Sequence, residues 1–326
     1  MRNIMVSLTN FYISEIISLS VNNFNYSISY SSESGIIFEK IHKSGLIQSL
    51  FKIIEPFNQY DFYLRLLNYF FEAISDINNS NKYYEYKSAV FENLKKMSTD
   101  DINYHIQCLS SYCIIKKRHE KSAEEFSKEY VNLQEIILEK KLFIDSRSEF
   151  LHKDLYINLL TNYDSLKNKE KVKFLLQYSK YLHPELRNDL KNYGEALYHF
   201  LNFSYQKALI KLYTVKLDDK SLESRVNNLQ IRCLYETNDF VRCVEKINLY
   251  KKQNRKNNFL SKKKIDKELA FLLLVENLIK AKENKGKFDA EFLKNKIEKD
   301  EFIPSKEWLI EKCYELYEKP KQISNY

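Results

Sequence analysis

The chain has 326 residues, of which 44% are hydrophobic and 29% charged, a composition typical of a folded protein and not of a disordered one. It contains only four glycines and four prolines, whereas average usage of about 7% would give roughly 23 glycines. Rossmann crossovers, phosphate-binding loops and tight β-hairpins need glycine at left-handed turns, so the composition favours helices joined by short turns. The net charge of +8, from 52 basic and 44 acidic residues, permits anionic partners without requiring them.

The first 145 residues predict a helical region that is less regular than the rest. A first helix is expected over residues 4–20, followed by a loop, Val21–Glu33, rich in Asn and Ser. Thr99, with Asp100 and Asp101 behind it, has the residue types of a helix N-cap. Apolar residues at helical spacing predict further helices over 35–54, 57–77, 82–97, 99–117 and 120–141.

From about residue 147 the pattern becomes periodic and predicts three consecutive helical hairpins between Tyr156 and Lys252. The compact positions Val172, Ala208 and Cys243 recur after 36 and then 35 residues, close to the roughly 34-residue period of tetratricopeptide repeats. The third hairpin turns at Asn238-Asp239, residue types that accept a left-handed backbone. Further helices are predicted over 261–283, 288–299 and 305–318.

The periodic half of the chain resembles the tetratricopeptide family. The residues that carry the resemblance are the spaced set Tyr156, Leu159, Tyr163, Val172, Leu176 and Pro184, the block Phe203-Ser204-Tyr205-Gln206-Lys207-Ala208-Leu209, and its counterpart Asn238-Asp239-Phe240-Val241-Arg242-Cys243-Val244. The motif has glycine where this chain has Phe203 and Asn238. The tail Phe288–Leu316 resembles the end of a group of uncharacterised bacterial proteins of this kind.

The resemblance implies an all-α fold: an α-solenoid of antiparallel helix hairpins stacked as a right-handed superhelix. We expect residues 146–326 to form this helical-repeat domain and residues 1–145 to form an N-terminal helical region, either irregular repeats or a cap. Because each hairpin is covered only by its neighbours, such a stack offers a long surface to a partner and no pocket for chemistry. The expected function is therefore a non-catalytic scaffold for a protein or peptide partner, in a bacterial cytoplasm.

The resemblance also implies which residues line the concave face, because the first helix of each pair lies there in tetratricopeptide proteins. Asn228 and Arg232 are four residues apart and share a helix face, where an amide beside Arg225 and Arg232 would hold a carboxylate or an acidic peptide. The alternative is that these are solvated helix residues that pair with Glu195 or Glu236. The full candidate set is Asp154, Ile157, Lys191, Tyr198, Arg225, Asn228, Arg232 and Tyr235.

A basic segment, residues 251–264 with Phe259 inside it, supports a second hypothesis: a nucleic-acid-associated regulator that tracks a phosphate backbone. The alternative is a solvated loop between helices, because Asn and Ser dilute the run and no recognition motif accompanies it. The candidate residues are Lys251, Lys252, Arg255, Lys256, Lys262, Lys263 and Lys264.

The sequence predicts neither an enzyme nor a cofactor or metal protein. His105 with Cys108, and Cys113 with His119, form the only neighbourhood that resembles a metal site, but the spacing differs from that of zinc ligands and favours packed or surface residues. Five cysteines without a framework suit a reducing compartment. No apolar run approaches the roughly 20 residues of a membrane span, and Glu15 interrupts the faint likeness of residues 4–17 to a signal peptide.

Overall fold

The computed structural model describes scattered residues between 4 and 52, and then residues 62–119, 124–144, 149–216, 220–255, 262–283, 290–299 and 303–317. The chain divides into two compact units, Met1–Glu149 and Phe150–Tyr326. The described residues are helical, and an isolated bridge between Leu151 and Leu182 is their only β-type pairing. The all-α class predicted from composition is confirmed for this part of the chain. The predicted loop Val21–Glu33 and most of the predicted segment 35–54 lie outside it.

The described helices of the first unit form two packed pairs. The first pair packs against the second through contacts of α1 and α2 with α3. A short 3₁₀ turn, Leu94–Lys96, separates the two pairs. The helices are α1 (Phe62–Ser75), α2 (Ser80–Glu92), α3 (Thr99–His119) and α4 (Glu124–Glu139).

The core of the first unit is built from tyrosines whose hydroxyls find partners. The rings of Tyr83 and Tyr112 stack with centroids 4.6 Å apart, and Tyr83 donates to Glu129 Oε1 at 2.8 Å. The hydroxyl of Tyr86 lies 2.7 Å from Nδ1 of His105. The rings of Tyr83 and Tyr86 are therefore buried without leaving either hydroxyl unpaired. This explains how so aromatic a sequence forms a dense helical core.

Helix α3 begins with a reciprocal capping box formed by Ser98 and Asp101. Ser98 Oγ accepts from the Asp101 amide at 3.2 Å, and Asp101 Oδ2 accepts from the Ser98 amide at 3.2 Å. The N-cap is thus Ser98, one residue before the predicted Thr99, because Asp101 stands at the position from which its carboxylate reaches back to Ser98.

The second unit has nine described α-helices. A 3₁₀ segment, Gln177–Tyr181, follows the second of them. The helices are α5 (Lys153–Ser165), α6 (Lys169–Leu176), α7 (Pro184–Leu201), α8 (Tyr205–Tyr213), α9 (Lys220–Glu236), α10 (Phe240–Arg255), α11 (Lys262–Lys282), α12 (Ala290–Lys299) and α13 (Lys306–Tyr317).

The turns within the first three hairpins share one backbone geometry. Lys167, Phe203 and Asn238 have φ values of 51°, 57° and 55°. In each turn the amide of the following residue bonds back to the carbonyl five residues earlier, as from Asn168 to Tyr163 at 2.9 Å and from Asp239 to Leu234 at 3.0 Å. This is the Schellman end of a helix, repeated at the spacing of the sequence pattern. The left-handed backbone predicted at Asn238 is confirmed.

The compact residues of the repeat pattern occupy equivalent buried positions. Val172, Ala208 and Cys243 are each the fourth residue of the second helix of a hairpin, and each is fully buried. Gly194 on α7 permits a similar close approach, because an added Cβ would lie 2.9 Å from Leu176 Cδ2 and 3.0 Å from Tyr156 Oη. Small side chains at these points let neighbouring helices pack closely.

Helices of the second unit contact the adjacent helices in the chain, and some also contact the helix two places along. Each helix from α5 to α10 packs against the next, and the first helices of successive hairpins also touch, α5 with α7 and α7 with α9. Helix α12 packs against α13, and α13 reaches both α11 and α5. The last described helix therefore returns to the first helix of its unit.

Candidate binding site on the first helices of the hairpins

A buried arginine lies at the centre of the candidate site. Arg232 on α9 is only 4% exposed, and its guanidinium binds Asp164 of α5 in a bidentate fashion, Nη1 to Oδ2 at 2.6 Å and Nη2 to Oδ1 at 2.9 Å. The same guanidinium lies 4.2 Å from the ring centroid of Phe200 on α7. Burial disfavours the charge, but Asp164 outweighs it and raises the pKa of Arg232. Arg232 thus ties together the first helices of three hairpins.

The turn that leads into α13 is bonded to this arginine. Ser305 Oγ donates to Asn228 Oδ1 at 2.8 Å and accepts from Arg232 Nη1 at 3.2 Å. We call Asp164, Asn228, Arg232 and Ser305 the Arg232 cluster. Its members come from three separate stretches of the sequence. Each hydrogen bond in the cluster involves a charged group or the buried side chain of Asn228, and together these bonds fix where α13 begins.

One turn further along, α13 is held by a carboxylate. Glu236 Oε1 accepts from the indole Nε1 of Trp308 at 2.6 Å and lies 2.8 Å from Nζ of Lys312. Although burial opposes the ammonium charge, hydrogen bonds to Glu236 and Glu315 raise the pKa of Lys312. The Trp308 ring meets Tyr235 edge-on, with centroids 5.3 Å apart. We call Glu236, Trp308 and Lys312 the Glu236 cluster.

The eight residues predicted for the concave face divide into open and buried groups. Asp154 and Lys191 are exposed, and Lys191 pairs with Glu195 at 3.7 Å. Tyr198 and Arg225 are partly exposed, with Arg225 Nη1 donating to Thr161 at 2.8 Å. The remaining four are buried: Ile157, Asn228, Arg232 and Tyr235.

These four buried side chains correct the expectation of an open surface at their positions. Asn228 and Arg232 bond to Ser305, just before α13, and Tyr235 contacts Trp308 on α13. Sequence periodicity does not indicate that α13 packs at this place. Arg232 binds Asp164 rather than Glu195 or Glu236. It is therefore not available to an acidic peptide while α13 is in place.

The basic segment lies on the end of α10 and the start of α11. Lys251 is already paired, with its Nζ 2.6 Å from Glu276 Oε1. Lys252, Arg255 and Lys262 are exposed, and Lys264 is partly buried. Lys256, Phe259 and the side chain of Lys263 lie outside the described residues. The structure thus leaves three of the seven predicted basic side chains open.

Of the histidine and cysteine neighbourhood on α3, His105, Cys108 and Cys113 are buried in the core, and the side chain of His119 lies outside the described residues. Burial lowers the pKa of His105 to about 4 and raises those of Cys108 and Cys113 to about 12. All five cysteines are buried free thiols. Across the described residues, no three His, Cys, Asp or Glu side chains converge as metal ligands, and none of the described helices has the length and apolar character needed to cross a membrane.

Helix α11 carries a buried carboxylate that the sequence pattern does not predict. Glu268 accepts from Ser224 Oγ on α9 at 2.6 Å and from the hydroxyl of Tyr250 on α10 at 3.3 Å. Burial raises its pKa. Its only sequence signal is its position next to the apolar run of α11. A charged residue at such a position would ordinarily be expected to face solvent.

Comparisons with protein-family models, with curated proteins and with solved structures give no match.

Proposed function

We propose that this chain is a non-catalytic, tetratricopeptide-like scaffold that binds a protein or peptide on the face formed by the first helices of its hairpins. In this proposal α5–α6, α7–α8 and α9–α10 stack as a right-handed α-solenoid, with residues 146–326 as the repeat domain and 1–145 as an N-terminal helical region, either irregular repeats or a cap. The repeated Schellman turns and the equivalent burial of Val172, Ala208 and Cys243 support the stacking.

The observation that carries the proposal is the helix already seated on this face. Helix α13 contacts α5, α9 and α11, and it is held through specific polar contacts at two successive levels, the Arg232 cluster and the Glu236 cluster. A face that binds one amphipathic helix by anchored aromatic and charged groups has the chemistry of helix-in-groove recognition.

Three of the predicted side chains on the first helices stay at least partly accessible. Lys191 and Tyr198 lie on α7, and Asp154 lies on α5. Tyrosine is favoured at protein interfaces because it combines apolar area with a hydroxyl and loses little conformational entropy. These residues form the open part of the proposed surface.

Site-specific photocrosslinking tests the proposal. A photoreactive phenylalanine derivative replaces Tyr198 on α7 in one variant and Tyr213, exposed on the second helix α8, in a matched control. We expect ultraviolet light to produce a discrete protein adduct from position 198 and none from position 213. Equal adducts from both positions, or none from position 198, would contradict binding on the first-helix face.

The nucleic-acid alternative rests on the exposed side chains of Lys252, Arg255 and Lys262. Nuclease treatment before irradiation separates it from the scaffold proposal, because a protein adduct survives nuclease. Electrophoretic mobility shifts at low and high salt, with K252E/R255E as the comparison variant, test it directly. Binding through phosphates should weaken steeply with salt and with both charge reversals.

A further inference from the structure

Helix α13 is attached to the second unit in an unusual way. It packs against the preceding helix α12, where Lys294 Nζ lies 4.3 Å from the ring centroid of Tyr314. It also packs against α11, the helix that precedes α12, and touches α5, the first helix of the unit. Helix α12, in contrast, has α13 as its principal neighbour among the described helices. The pair α12–α13 can therefore leave as a hairpin that keeps its own internal packing.

The contacts that hold α13 in place combine the Trp308 ring, which meets Tyr235 and Phe271, with several polar and charged pairs. Nζ of Lys167, in the turn after α5, binds Glu311, Glu236 binds Trp308 and Lys312, and Asn228 accepts from Ser305. Each of these partners can be supplied equally well by an external chain. Exchange of one helix for another of the same chemistry keeps Glu236 paired, whereas an empty face would deprive its carboxylate of Trp308 and Lys312. Arg232 keeps Asp164 as its partner in either case.

We infer that α13 is a resident, displaceable occupant of the binding face, so that a partner helix gains this face by exchanging with α13. The inference deepens the proposed function and depends on it. It names the partner chemistry: an amphipathic helix with an aromatic N–H donor and a lysine four residues later, the spacing of Trp308 and Lys312. On that spacing both side chains lie on one helix face and reach Glu236 together.

Occupancy of the binding face by α13 lowers the apparent affinity for an external partner by a measurable factor. A partner competes with a tethered helix, so its apparent affinity falls by the fraction of molecules in which the face is free. If about one molecule in ten has α13 released, external binding is about 10-fold weaker than to a chain whose α13 is disabled. The regulatory consequence is that any event that weakens α13 opens the face.

Trp308 is the single tryptophan of the chain, and it makes the test direct. The variant W308F/K312A removes the indole donor and the ammonium and leaves a protein without tryptophan. The probe is a synthetic peptide of residues 303–317, which then carries the only indole in the mixture. Seating on the face should shift its emission to the blue, since Trp308 is only 5% exposed in the seated position. Adding E236A to the variant should abolish the shift.

The wild-type comparison uses the same peptide with a fluorescent label, followed by anisotropy. We expect wild type, and the control E307A at an exposed position of α13, to bind at least about 10-fold more weakly than W308F/K312A. Equal affinity for all three proteins would overturn the inference. So would a failure of the peptide to bind W308F/K312A when its circular dichroism shows retained helix content.

Hydrogen exchange on unmodified protein gives a test that needs no variant. Amides of α13 should exchange faster than those of α7 at neutral pH, because release of α13 does not require unfolding of the stack. Exchange of α13 as slow as that of α7 would show that it is an integral part of the core and would overturn the inference. Neither result bears on crosslinking at Tyr198, so failure of the exchange mechanism and failure of the scaffold proposal remain distinguishable.

Discussion

Replacement of Asp164 by alanine should destabilise the second unit strongly. The change leaves the guanidinium of Arg232 buried beside Ser305 and the rings of Phe200 and Trp308, without a carboxylate partner. Removing one partner of a buried ion pair costs about 3–5 kcal/mol because the other charge is left uncompensated. The Asp164 side chain is 18% exposed, so water can enter in its place, and we expect a loss near the lower end, about 3 kcal/mol.

Urea unfolding followed by Trp308 emission measures this loss in the correct part of the molecule, since the single tryptophan belongs to the second unit. For a unit of this size the expected fall in Tm is about 6–12 °C. The control D154A removes an exposed carboxylate from the same helix and should change the stability by less than about 1 kcal/mol.

A double variant separates the loss of the pair from the penalty of an unpaired charge. D164A/R232M removes both charges and places a flexible apolar side chain next to Phe200, so it should recover most of the stability that D164A loses. A loss below about 1 kcal/mol in D164A would refute the argument that this pair is a buried tie between α5 and α9. No recovery in the double variant would show that Arg232 acts through packing and not through its charge.

Three further substitutions test other parts of the structure. F203G should stabilise the second unit by about 1 kcal/mol, because Phe203 is 78% exposed and its left-handed φ of 57° suits glycine; an unchanged urea midpoint would contradict this. A208F should cost about 1–3 kcal/mol by overpacking a fully buried position, whereas Q206F at an exposed neighbour should have little effect on Tm. Because burial raises the pKa of Glu268 above its ordinary 4.5, the wild-type free energy of unfolding should fall as pH rises from about 4.5 through the folded-state pKa. E268Q should lack that fall, and parallel pH profiles of the two proteins would rule out this assignment.

The neutral imidazole of His105 is buried beside Tyr86 in the first unit. It gives the free energy of unfolding of that unit the opposite pH dependence. Because burial lowers its pKa from 6.5 to about 4, the stability that it contributes is present above pH 6.5 and is lost as pH falls toward 4. Titration of the imidazole by NMR should show the proton binding below pH 5, and a midpoint near 6.5 would contradict the burial.

Much of the secondary structure could be predicted from the residues themselves. The predicted helix 261–283 corresponds to α11, Lys262–Lys282, and the predicted 305–318 corresponds to α13, Lys306–Tyr317. Apolar spacing is a property of short stretches, so it survives without knowledge of the fold. The turn at Asn238 was predictable for the same reason, since asparagine tolerates the left-handed region.

Other features had no local signal. Lys167 and Phe203 adopt a left-handed backbone although neither residue type favours it, because the Schellman bonds that end α5 and α7 impose it. Ser98 rather than Thr99 caps α3 because of its bond to Asp101. The predicted role of Arg232, donating to the carboxylate of an acidic partner, required an open side chain, but Arg232 is buried and bound to Asp164.

Composition and periodicity alone determined that the described part of the chain is helical, that certain compact residues, such as Ala208, are buried, and the approximate bounds of helices such as α3, α11 and α13. Only the tertiary structure decided that Arg232 meets Asp164 across 68 residues and that Trp308 and Lys312 meet Glu236. The physical reason is that helix formation depends on neighbours three or four residues apart, whereas ion pairs between helices depend on which faces the packed core brings together.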